Sequence, residues 1–82
     1  MNIGVYSLQG VLFEGEVREV TCATQAGTIT FLDHHEPLVS VLTEGIMKIV
    51  DRDRAAHYIP VRSGFLEIDA DNTARLLVEE GE

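Results

Sequence analysis

The sequence has few of the residues that mark disulfide-bonded, nucleic-acid-binding or membrane proteins. Its single cysteine, Cys22, excludes an internal disulfide and a zinc site built from several thiolates. Six Lys and Arg stand against 14 Asp and Glu, a net charge of −8, so the clustered positive charge that binds phosphates is missing. No apolar run approaches the ~18 residues of a membrane span. We therefore expect no binding to nucleic acid and no direct contact with an anionic lipid surface.

The lack of disulfides, the lack of a signal peptide and the short length of the chain predict its compartment and the size of its core. A small domain without disulfides is typical of a reducing compartment, and the start at Met1–Gly4 lacks the basic and apolar pattern of a signal peptide. Residues 1–82 are short enough for one domain, which buries only about 60% of the surface of its unfolded chain. We expect one cytoplasmic domain with a thin core, for which partner contacts contribute to stability.

What the sequence does contain is a series of short apolar runs separated by turn residues. Thr, Val and Ile are frequent, and no stretch shows helical apolar spacing over two turns, so the pattern predicts an all-β sandwich or small barrel. Val20 and Cys22 share one face by the two-residue period, whereas Val17 falls on the other, which indicates a bulge or a strand entrance. Pro60 within an apolar run indicates an edge strand. The predicted core residues are Val20, Ile29, Phe31, Leu42, Ile46, Phe65, Ile68, Leu76 and Val78.

Two groups of residues suggest catalytic or metal chemistry, and their spacing argues against both. Asp33-His34-His35-Glu36 contains good zinc ligands, but adjacent residues of an extended segment point to opposite faces. The Ser and His residues form no recognisable nucleophile motif, and there is no glycine-rich phosphate loop. We therefore expect no catalytic residue, no metal site and no cofactor.

Four stretches, in the same order and with similar separations, resemble the epsilon subunit of F-type ATP synthases. Aligned on these stretches, the resemblance as a whole extends over nearly the entire chain, from about Ile3 to Val78. The stretches are VLFEGEV at residues 11–17, GTITFLDHHEPL at 27–38, LTEGIMKI at 42–49 and YIPVRSGFLEI at 58–68.

This resemblance implies a flattened sandwich of two roughly five-stranded antiparallel sheets, monomeric when isolated. It also implies a non-catalytic part in the central stalk, coupling the ring of c subunits to the gamma subunit during proton-driven ATP synthesis. The location implied is the cytoplasmic face of the bacterial inner membrane, reached only through the complex. By the family motif, the loop that contacts the c ring is Gln25, Ala26, Gly27 and Thr28, and the residues towards gamma are Ser7, His35 and Leu38.

The second stretch departs most from the family pattern. Thr28 stands where an acidic residue is common, Thr30 where glycine is frequent, and Asp33-His34 where the family has Pro-Gly, which alters the turn before His35. Many relatives continue into a helical hairpin, whereas this sequence stops at Glu82; we expect a sandwich-only form without autoinhibition. The alternatives are a free-standing β-sandwich binding module with an unknown partner and, less compatible with the spacings, a hydrolytic or metal enzyme.

Overall fold

The computed structural model describes residues 1–81 and contains only strands and their connections. No helix of this part of the chain is long and apolar enough to cross a membrane. The seven strands are β1 (Asn2–Ser7), β2 (Gly10–Thr24), β3 (Gly27–Leu32), β4 (Leu38–Leu42), β5 (Gly45–Asp51), β6 (Ala56–Ile68) and β7 (Thr73–Glu80).

The seven strands form one hydrogen-bonded sheet that folds over on itself because β2 and β6 are long enough to serve both layers. Residues 10–16 of β2 pair with β1, and residues 63–68 of β6 pair with β4 and β7; with the β1–β7 pair they form the first layer. The second layer contains β3, β5, residues 19–24 of β2 and residues 56–61 of β6.

The predicted all-β sandwich is confirmed, and its layers differ from the expectation in two details. They contain five and four strand segments, close to the expected five and five. One contact, between β1 and β7, is parallel. After the β6–β7 turn, the last strand runs beside the first strand in the same direction. Because these two strands come from opposite ends of the chain, local sequence patterns do not predict that they pair.

The irregularity expected near Val17 is a β-bulge. The register between β2 and β5 shifts from Val17↔Asp51 to Glu19↔Val50, leaving Arg18 as the extra residue. The extra residue shifts the alternation of inward and outward side chains along β2 by one position. Val17 and Val20 are therefore both fully buried, although an unbroken two-residue period would place them on opposite faces.

The core lies between the two layers, and most of the predicted core residues are in it. Val20, Phe31, Leu42, Ile68, Leu76 and Val78 are buried, and Ile29 packs against them. Ile46 and Phe65 were wrongly assigned to the core, because both are 60% exposed. Their neighbours Met47 and Leu66 point inward instead, since β5 and β6 carry apolar residues on both faces.

Candidate binding surfaces

The hairpin between β2 and β3 ends in a short, well-defined tip. Thr24 pairs with Gly27 across the turn, and Gly27 has a φ of 113°, a conformation that L side chains rarely adopt. The hydroxyl of Thr24, the one buried polar residue of the described chain, donates to the carbonyl of Gly27 at 2.7 Å and accepts from the Ala26 N–H at 3.1 Å. Gln25 to Thr28 are all exposed, so the tip is a fixed turn with accessible side chains.

Main-chain hydrogen bonds tie this tip to the end of β4. The Gln25 N–H donates to the Val41 carbonyl at 3.1 Å, and the Thr43 N–H donates to the Ala23 carbonyl at 3.0 Å. Because β4 belongs to the first layer, these two bonds fix the tip relative to that layer rather than leaving it as a free loop.

The outer surface of the first layer carries a continuous row of apolar side chains. The register places one outward residue from each of five neighbouring strand segments side by side. Leu8 and Val39 extend the row at its margins, and we call these seven residues the apolar face. Two shallow grooves of about 320 and 460 Å³ run along it. The residues in the row are Val41, Phe65, Leu77, Tyr6 and Val11.

The apolar face is large for a domain of this size and charge. Of the eight large hydrophobic side chains that are exposed in residues 1–81, five belong to it: Leu8, Val11, Val39, Phe65 and Leu77. Exposed apolar residues scattered singly need no explanation, whereas a contiguous patch marks a surface that binds something. The face is therefore the strongest candidate for a binding surface.

Charged residues lie at the border of the apolar face, mostly as ion pairs. Arg75 Nη1 lies 3.1 Å from Asp69 and 3.5 Å from Glu67, and the hydrogen bond that Arg75 donates to Asp69 raises the pKa of Arg75. Tyr6 donates its hydroxyl proton to Glu14 at 3.3 Å, and its ring covers Gly4, where a Cβ would clash with it. The Tyr6 ring therefore lies over Gly4 on the outer surface of the sheet.

The structure separates the three residues predicted to face gamma. Ser7 ends β1 beside the apolar face and lines one of its grooves. The pairing of β4 with β6, of β6 with β7 and of β7 with β1 places Leu38 in line with Ile3. Ser7 lies four residues further along β1, so it is about 13 Å from Leu38 along the strand direction. Leu38 is half-buried against the core, and His35 is exposed in the β3–β4 loop, with its ring centroid 6.2 Å from that of Phe31 and the two rings nearly perpendicular. His35 therefore lies in the loop that leads into Leu38, whereas Ser7 lies at the far end of β1.

Most of the apolar face was missed in the sequence, although two signals pointed to it. Phe65 precedes Leu66 by one residue, so a strand in which Leu66 and Ile68 face inward must present Phe65 outward. Leu77 likewise lies opposite the apolar face of β7 that carries Leu76 and Val78. Val39 and Val41 gave no such signal, because β4 carries apolar residues on both faces.

Two further polar clusters lie away from the tip and the apolar face. His57 Nε2 donates to Asp51 at 2.8 Å, and this hydrogen bond, with those from the Ala55 and Asp53 N–H groups, lowers the pKa of Asp51. The Met1 ammonium group contacts Asp33 and Glu16, and its hydrogen bonds lower the pKa of both carboxyls.

These clusters do not form a metal centre. Among residues 1–81, no three His, Cys, Asp or Glu side chains gather in a way that could hold a metal ion. His34 and His35 lie in an exposed loop, where the His34 N–H donates to the side chain of Asn72 at 2.6 Å.

The fold and these two surfaces define a class of protein, a small β-sandwich that presents a fixed turn and an apolar sheet face. The family model for the β-sandwich domain of the ATP synthase delta/epsilon chain matches residues 1–82. The chain therefore belongs to this family, in agreement with the resemblance seen in its sequence motifs.

Individual relatives support this assignment. An ATP synthase epsilon chain from Leptospira borgpetersenii is 32% identical over 81 residues, which are 99% of this chain and 62% of the relative. A chloroplastic epsilon chain from Psilotum nudum is 33% identical over 82 residues, 100% of this chain and 60% of the relative. The chain thus spans about three-fifths of the length of these relatives.

Solved structures share the fold. A chain in the central stalk and c-ring structure of the Tetrahymena thermophila mitochondrial ATP synthase has a TM-score of 0.82 at 16% identity, covering 98% of this chain and 63% of that one. A chain of the Euglena gracilis mitochondrial enzyme has a TM-score of 0.86 at 18% identity, covering 93% and 48%.

Proposed function

We propose that this chain is a non-catalytic central-stalk subunit of an F-type ATP synthase that couples the c ring to the gamma subunit. The observation that carries the proposal is the apolar face, since a domain with a net charge of −8 that exposes such a row requires a stable partner. Relatives named as ATP synthase epsilon chains and a similar fold in a central stalk and c-ring structure support this partner assignment.

In this proposal the apolar face binds gamma. Aromatic and aliphatic residues at the centre of an interface contribute most of the binding energy, and charged residues at its border contribute specificity. Phe65 and Leu77 occupy the middle of the row, with Tyr6 beside them, and Ser7 lies at its margin. His35 and Leu38, the other residues predicted to face gamma, would belong to a separate and smaller contact.

The tip at Gln25, Ala26, Gly27 and Thr28 contacts the c ring in this proposal. An exposed turn can reach a flat partner without displacing the sandwich, and its side chains carry no charge. The bonds to Val41 and Ala23 connect this turn to the layer that binds gamma, so force on one surface is transmitted to the other through the ladder of the sheet.

The proposed location follows from these partners. The chain would lie on the cytoplasmic face of a bacterial inner membrane, attached to the complex by protein contacts. In isolation it would be a monomer.

A pair of matched substitutions tests the proposal. Phe65 and Tyr58 lie on the same strand and are 60% and 63% exposed, but only Phe65 is on the apolar face. Phe65→Ser should weaken binding to an isolated gamma subunit by about 2 kcal/mol or more, roughly 30-fold. Tyr58→Ser should leave that affinity within a few-fold of the original value.

The measurement is titration calorimetry with gamma, with circular dichroism to confirm that both variants keep the β spectrum. Equal affinities for the two variants, or no binding by the original chain, would refute the proposal.

A further inference from the structure

Four strand segments in residues 1–81 have one side without a neighbouring strand, and three of these edges carry a feature that hinders strand addition. Residues 10–16 of β2 carry Glu14 and Glu16 and pair irregularly with β1. Residues 56–61 of β6 contain Pro60, whose carbonyl accepts from Gly81 at 2.9 Å. β4 is short, follows Pro37 and is covered by β2 at its end. Charges, prolines, bulges and short length are the usual protections of open edges.

The fourth edge, that of β3, has none of these protections. Gly27–Leu32 contains no charged residue and no proline, and its pairing with β2 is unbroken from Thr24↔Gly27 to Glu19↔Leu32. β3 pairs with β2 alone and is the last strand of the sheet. A neutral, regular edge of six residues is unusual in a protein that protects its other edges.

The main-chain groups of β3 alternate in direction, and Thr30 shows which of them face the open side. Thr21 and Thr30 are opposite one another, and their hydroxyl oxygens are 2.8 Å apart. Such a close approach of side chains is typical of a pair that does not exchange main-chain hydrogen bonds. The N–H and C=O groups of Thr30, and by the two-residue period those of Leu32, therefore point away from β2.

We propose that the β3 edge accepts one extended peptide segment of the gamma subunit as an added β-strand. Unpaired N–H and C=O groups at strand spacing bind water in the isolated chain, and another extended backbone can pair with all of them at once. The segment lies beside Thr28, Thr30 and Leu32 on the outer side, so it carries small or β-branched neutral side chains there. This inference rests on the proposed function, because it takes the occupant from the stalk.

The position of β3 and the charge of the chain favour gamma over a second copy of this chain. β3 ends at Leu32, three residues before His35, which the proposed function places at a contact with gamma, so gamma already lies near the end of the edge. Two copies, each with a net charge of −8, repel one another.

The test is hydrogen exchange of individual amides, measured by fragmentation mass spectrometry. The isolated chain is compared with the same chain reconstituted into an F-type ATP synthase that lacks its own epsilon subunit. In the isolated chain the Thr30 and Leu32 amides should exchange rapidly, and those of Ile29 and Phe31 slowly. On assembly, exchange at Thr30 and Leu32 should slow at least tenfold.

A matched pair of variants connects this protection to the main-chain donor. Thr30→Pro removes the outward N–H without removing a bond to β2, whereas Thr30→Val removes only the hydroxyl contact with Thr21. In the Thr30→Pro complex, Leu32 should lose its protection, and in the Thr30→Val complex it should keep it.

The outcomes separate this inference from the proposed function. If the chain joins the complex but Thr30 and Leu32 exchange as rapidly as before, the inference is wrong and the stalk assignment stands. If the isolated chain self-associates with the same two amides protected, the occupant is a second copy and the inference is again wrong. If the chain never joins the complex, both proposals fall.

Discussion

Cys22 shows how burial alone sets the chemistry of a residue. Its side chain is 3% exposed, and desolvation raises the pKa of the thiol to about 11. At pH 8 only about one molecule in a thousand then carries the reactive thiolate. The native protein should therefore react with Ellman's reagent far more slowly than the unfolded chain in guanidinium chloride, in which the thiol has an ordinary pKa and full access. Similar rates in both states would contradict the burial of Cys22.

The stability of the β5–β6 turn depends on pH through the ionisation of Asp51. Its side chain accepts from His57 and from the Ala55 and Asp53 N–H groups, and its pKa is lowered from the ordinary 3.8. A lowered carboxyl pKa contributes stability that is present above pH 3.8 and lost as pH falls through the lower folded value.

Thermal unfolding of Asp51→Asn should accordingly show a melting temperature below that of the original chain at neutral pH. Its melting temperature should also fall less steeply as the pH is lowered below about 4. Asp53→Asn, in the same turn, is the control and should retain the original acid dependence. Parallel acid curves for Asp51→Asn and the original chain would show that the turn does not depend on this carboxylate.

At the scale of the element, the β2 bulge determines which side chains reach the core. Inserting one residue between Val50 and Asp51 would give Arg18 a partner on β5, restore an unbroken two-residue period and turn either Val17 or the Val20–Cys22 pair towards solvent. Burying one valine stabilises by roughly 1.5–3 kcal/mol, so the insertion should cost at least that much in urea unfolding. Arg18→Ala keeps the bulge and should change stability by no more than about 0.5 kcal/mol. Equal stabilities of the two variants would show that the bulge is dispensable.

The strands also show how far local sequence patterns predict the fold. Wherever one face of a strand is clearly apolar, as with Leu76 and Val78 in β7, the period identified the core correctly. In β5 both Ile46 and Met47 are apolar, and in β6 both Phe65 and Leu66, so the period gives two faces without saying which is buried. Lys48, on the same face as Ile46, was a signal that this face points outward.

The composite surfaces of the whole molecule were beyond such patterns. The apolar face needs the register of five strand segments, including the parallel β1–β7 pair, before Tyr6 and Leu77 become neighbours. The tip was predictable because a hairpin turn is local, and the family motif identified it. Its attachment to Val41 of β4 was not, since that contact joins distant parts of the chain.

This attachment makes a prediction for the assembled rotor. If the tip contacts the c ring and the apolar face binds gamma, coupling requires that the tip move rigidly with the first layer. Inserting two glycines between Gln25 and Ala26 lengthens the turn and frees it from the Thr24 hydroxyl while leaving the Gln25–Val41 bond and the apolar face in place. In complexes reconstituted without their own epsilon subunit, this variant should still bind gamma but restore less ATP-driven proton pumping per ATP hydrolysed.

The same insertion between Asp53 and Arg54, in the β5–β6 turn, is the control and should pump like the original chain. Full pumping by the tip variant would show that a rigid tip is not needed for coupling, whereas loss of gamma binding would show that the two surfaces are not independent.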